Sequence, residues 1–136
     1  MTENGDRLRY LKIIMAAGGG YEMFMGLTMI FFIGWFFRLL GAGDEIRYQM
    51  FPGSVGVLAV CFGLLLLLGS RDPERYLLVA LVSILLRVLI QVPIITGCLQ
   101  TPELTLPLIG FGAFDLAFAA LTAHAIRASG IDWEKF

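Results

Sequence analysis

Residues 77–99, LLVALVSILLRVLIQVPIITGCL, are long enough to cross a bilayer, yet Arg87 stands at their middle and Gln91 one turn later. A guanidinium in hydrocarbon is costly, so such a residue turns toward protein, water or a carboxylate partner. The rest of the chain must therefore supply that partner at the right depth. Two carboxylates lie inside other apolar stretches: Glu22 in the first and Asp115 in the last.

Composition names the solvent. The chain is 58% hydrophobic and 15% charged, with a mean hydropathy of +0.82. Ordinary soluble domains carry about 25% charged residues, so the bilayer is the expected medium. A net charge of −1 with scattered basic residues excludes a nucleic-acid footprint. Arg7, Arg9 and Lys12 precede an apolar run that continues to Phe37, too long for a cleaved signal, and it reads as a retained helix.

Four spans are expected in a single domain covering 1–136, at residues 13–37, 53–69, 75–97 and 106–127. The residues before the first, 1–12, read as a polar lead-in. The first span carries Gly18, Glu22 and Gly26 at i, i+4 and i+8, so the glutamate's face is expected to pack closely on a neighbour. It ends in aromatics, Phe31, Phe32, Trp35, Phe36 and Phe37, which suit an interfacial belt. Residues 38–52 read as a loop with a short interfacial helix around Tyr48. In the second span Gly56, Ala59 and Gly63 share a face. Asp72 and Pro73 predict an N-cap and first residue for the third span. Pro93 should bend that span's far end and Gly97 terminate it. Ala80, Ser83, Arg87 and Gln91 form its small or polar stripe, and Gly112, Asp115, Ala119 and Thr122 form that of the fourth.

Lysine and arginine set the orientation. Arg7, Arg9, Lys12, Arg71, Arg75, Arg127 and Lys135 fall on one side, and only Arg38 and Arg47 on the other. Both termini are therefore expected in the cytoplasm. Short loops favour antiparallel neighbours, hence an all-α, integral-membrane four-helix bundle running up-down-up-down. Trp35 and Tyr48 should lie at the outer interface, and Tyr10, Tyr76 and Trp133 at the inner one.

At 1.5 Å per residue, Glu22 lies about 15 Å from the inner end of its span, and Arg87 and Asp115 about 18 Å from theirs. All three approach the midplane of a core about 30 Å thick. One arginine can fork to two carboxylates. Such a cluster can pin helices in register. It can also serve as a proton or ligand site, because two carboxylates against one arginine leave one negative charge in excess. Tyr21, about 100° around the helix from Glu22, is not expected to join it. His124, about 13 Å further along its helix than Asp115, is a secondary candidate.

No catalytic or metal constellation is apparent. There is no HExxH motif, the GGG at 18–20 lacks a following lysine or serine, and no nucleophile–base–orienter set stands out. Cys61 and Cys98 read as apolar fillers. Their separation, about 12 Å along the bilayer normal, exceeds the Cα spacing of about 7 Å that a disulfide tolerates.

A glycine-rich first helix ending in aromatics, Pro52–Gly53 opening the second, the RDPERY turn at 71–76, a charged third helix and an aspartate in the fourth together resemble the DoxX-like group of small four-helix bacterial membrane proteins. The resemblance implies the bacterial inner membrane and a quinone or partner-subunit link for Glu22, Arg87 and Asp115, with quinone or lipid as ligand. The residues themselves predict no cofactor. The first expectation is a non-catalytic membrane subunit or accessory protein, packed in a larger membrane complex or oligomer and surrounded by lipid. The second is a small quinone-linked or proton-handling protein using the cluster as its site.

Overall fold

The computed structural model describes residues 3–39, 50–100, 102 and 105–131. Among these residues the regular elements are all helices: α1 (Glu3–Phe31), α2 (Ile33–Leu39), α3 (Met50–Gly69), α4 (Leu77–Leu89), α5 (Gln91–Gln100) and α6 (Thr105–Ser129). Among the described residues four stretches are long and apolar enough to cross a membrane: Leu8–Phe31, Pro52–Gly69, Leu77–Gln100 and Thr105–Ser129. By length and composition this is a multi-pass membrane protein. The helix expected around Tyr48, and the interfacial placements of Tyr48 and Trp133, lie outside the described residues.

Several boundaries differ from the sequence reading. The lead-in is helical from Glu3, continuous with the first span. Asp72 does not cap α4. Its side chain accepts only from the Arg75 amide at 3.4 Å, its carbonyl accepts from Tyr76 at 3.1 Å, and the helix begins at Leu77. Gly97 does not terminate the third span, which runs to Gln100. The interruption comes earlier, at Ile90, three residues before Pro93, which has no N–H to offer the Leu89 carbonyl. The first span is interrupted at Phe32, although the Phe32 N–H still donates to the Thr28 carbonyl at 2.8 Å and the Phe36 N–H to the Phe32 carbonyl at 2.9 Å.

Glycine decides how α1 meets α3. A Cβ on Gly19 would stand 2.7 Å from the Gly63 carbonyl oxygen, and one on Gly63 would stand 2.7 Å from that of Gly19. Gly26 and Gly56 repeat the reciprocal contact at 2.6 and 2.7 Å. Both pairs are seven residues apart on each helix, so two antiparallel backbones touch twice with no side chain between them. The residue facing α3 is thus Gly19, not Gly18, which turns toward Arg87. Close backbone approach supplies the van der Waals packing that holds helices together in lipid.

The other contacts run α1 to α6, α4 to α6 and α5 to α6, while α3 touches α4 only sparsely. One end is sealed by Leu11, Met15, Leu66, Leu77, Ala80, Ala125 and Ile126, contributed by α1, α3, α4 and α6. Beyond that seal the α3–α4 seam is open.

Candidate functional site

Among the described residues Arg87 is the best-buried charged side chain, 1% exposed. Its Nη1 donates to Asp115 Oδ1 on α6 at 2.7 Å. Its Nη2 stands 2.9 Å from Glu22 Oε1 on α1, an approach too oblique to be a hydrogen bond. Nε reaches Ser83 Oγ, one turn back, at 3.4 Å. The three residues expected at one depth therefore meet, and a single guanidinium links three helices.

Aromatic rings complete the cage. The guanidinium carbon lies 5.0 Å from the Phe118 ring centroid and 5.6 Å from that of Tyr21, within range of cation–π attraction. Tyr21 stacks on Phe118 with 10° between the rings and touches Phe114. Gly18 leaves room for Nη2, from which a Cβ would be 3.5 Å. Tyr21 was not expected here. A side chain as long as arginine's reaches a neighbour 100° around the helix, and Phe114 and Phe118, four residues apart on α6, draw the tyrosine toward the same side.

Gln91 takes another role. Its Nε2 donates to the Arg87 carbonyl at 2.9 Å, and it lies over Gly112, where a Cβ would meet its Oε1 at 2.6 Å. It braces the α4–α5 break against α6 and is not one of the ion pairs. His124 is exposed and packs edge-on to Tyr10, with ring centroids 6.3 Å apart. It does not line the cavity described next.

A cavity of about 230 Å³ reaches the cluster. Tyr21, Glu22, Arg87 and Asp115 form its polar floor, and methionine, aromatic and aliphatic side chains, including Met25, Met29 and Phe111, form its walls. A second groove of about 510 Å³ shares Glu22, Val55, Ala59, Leu86 and Ile90 with it and runs between α3 and α4. The carboxylate side chains are 13% exposed at Glu22 and 12% at Asp115, against 1% for the arginine. Both carboxylate side chains are thus more accessible than the arginine between them.

No protein-family model matches the chain, and no curated protein or solved structure matches it. Function is read from the site.

Among the described residues no group of three His, Cys, Asp or Glu side chains could hold a metal ion. Cys61 and Cys98 are free thiols. The Cys98 carbonyl accepts from Thr105 Oγ1 at 3.3 Å, tying the end of α5 to the start of α6.

Proposed function

We propose that this chain is an up-down-up-down four-helix bundle of the bacterial cytoplasmic membrane, DoxX-like in architecture, with both termini cytoplasmic. Its Glu22–Arg87–Asp115 cluster is a proton-handling ligand site rather than a catalytic centre. The cavity that reaches the two carboxylates carries this reading. Two carboxylates and one guanidinium sum to −1, and an uncompensated charge in hydrocarbon is costly. A shared proton is the simplest neutraliser. Glu22 is the natural acceptor, because Asp115 holds the aligned, charge-assisted bond to Arg87 and Glu22 only the oblique one. Quinone, the ligand implied by the resemblance, offers carbonyl acceptors that a protonated Glu22 or the Tyr21 hydroxyl could meet. Proton handling is the better supported half of that expectation.

A lipid-soluble carbodiimide tests the reading, since it reacts with protonated carboxyl groups that it can reach from the bilayer. Labelling of Glu22, lost in Glu22→Gln, is the expected outcome. An unreactive parent would mean that the cluster is sealed or fully ionised.

The double pairing at Arg87 favours a second reading. On that reading the cluster is purely a pin joining α1, α4 and α6, in an accessory subunit that packs against other membrane proteins or another copy of itself. Normal function of a charge-free variant would select it.

Orientation has its own check. With Cys61 and Cys98 replaced by alanine, Asp72→Cys should react with a membrane-impermeant thiol reagent applied from the cytoplasmic side. Labelling from the opposite side alone would reverse the topology.

A further inference from the structure

We infer that the cavity above the cluster takes a hydrophobic, monovalent organic cation, which exchanges with the cluster's proton and enters from the lipid between α3 and α4. The inference rests on the proton-site reading and names the ligand class of that same site. Charge is the first ground. The floor carries a formal −1 that something positive must balance, and the two carboxylate side chains that line the cavity are more exposed than the arginine between them. An anionic ligand would add to the excess, and a neutral one would leave it.

The walls point the same way. Tyr21, Phe36 and Phe111 bring aromatic rings to the cavity, and Met25 and Met29 bring polarizable thioethers. Such rings attract a desolvated cation without demanding directed hydrogen bonds, and methionine adapts to varied apolar shapes. Phe36 and Phe111 lie 5.5 Å apart between centroids.

Access is the third ground. The end containing Leu11, Leu66, Leu77 and Ile126 is packed shut. The groove along Val55, Ala59, Leu86 and Ile90 opens the cavity sideways, where α3 and α4 barely touch. A ligand reaching the site this way must already be dissolved in the membrane, which suits a delocalised or alkyl-shielded cation and not a hydrated one.

Cation and proton compete for Glu22, so binding releases a proton and affinity rises with pH by up to about tenfold per unit. The groups facing Glu22 are Tyr21 on its own helix, Arg87 on α4 and Asp115 on α6. The described titratable side chains of α3 and α5 are Cys61 and Cys98, neither of which lines the cavity.

Tetraphenylphosphonium and tetraphenylborate share a shape and differ in sign, so they make the test. Purified full-length protein should bind the phosphonium saturably and at least about tenfold more tightly than the borate, as expected for one unit of opposite rather than like charge in a poorly screened site. Glu22→Gln should weaken phosphonium binding by at least about tenfold. Ala59→Phe, which fills the groove and alters no charge, should weaken it too, and decides the matter if the glutamine variant does not fold. Equal binding of the two ions, or an unchanged affinity in Ala59→Phe, overturns the inference. Carbodiimide labelling separates its failure from that of the site reading. Labelling of Glu22 that saturating phosphonium does not slow removes the cation and leaves the proton site. No labelling at all removes both.

Discussion

Replacing Arg87 by leucine alone is expected to destabilise the protein by about 3–5 kcal/mol, the usual loss when one member of a buried ion pair is removed. The cause is what remains. Glu22 and Asp115, paired with the guanidinium at 2.9 and 2.7 Å, would face each other across a cavity of apolar walls with no counter-charge. Protonation of both carboxyls would soften the loss. Arg87→Leu combined with Glu22→Gln and Asp115→Asn should recover much of the stability, because no charge then needs a partner. Arg87→Lys should fall between, since one ammonium cannot reproduce a fork to carboxylates on two helices. Thermal unfolding in detergent orders the three variants. An Arg87→Leu protein as stable as the parent would show that the pairing does not hold the helices.

The second large effect belongs to the α1–α3 contact. Gly26→Val should cost upwards of about 2 kcal/mol through overpacking, because its Cβ would stand 2.6 Å from the Gly56 carbonyl oxygen and 2.8 Å from the Val60 backbone nitrogen. Backbone cannot rotate out of the way as a side chain can. Gly63→Val should behave alike, meeting the Gly19 carbonyl at 2.7 Å. Gly20→Ala is the contrast. Nothing lies within 4 Å of its Cβ position, so it should be neutral or stabilising by about 0.5 kcal/mol from helix propensity. If Gly26→Val unfolds at the same temperature as Gly20→Ala, the two backbones do not meet there.

Much of this was legible in the chain. Hydropathy located the spans, and helical rise placed Glu22, Arg87 and Asp115 near one depth because depth depends only on residue count. Which faces meet is harder. In the run Gly18–Gly19–Gly20 three neighbouring faces are equally small, and the i, i+4 spacing to Glu22 singled out Gly18. The seven-residue spacing of Gly19 and Gly26, matching that of Gly56 and Gly63, carried the correct register. Tyr21 was missed because a helical wheel locates Cβ atoms and not the reach of long side chains from other helices. The role of Gln91 depends on the break at Ile90, whose position follows from Pro93. The side opening had no sequence signal, since Val55, Ala59, Leu86 and Ile90 would serve equally in a closed seam.

Infrared spectroscopy tests the central claim most directly, because the carbonyl stretch of a protonated carboxyl is distinct from the bands of carboxylate. The account predicts one such band from the cluster at neutral pH, abolished by Glu22→Gln. It should also diminish as tetraphenylphosphonium binds and the shared proton leaves. A spectrum whose protonated-carboxyl region is unchanged between the parent and Glu22→Gln, at every pH where the protein stays folded, would contradict it.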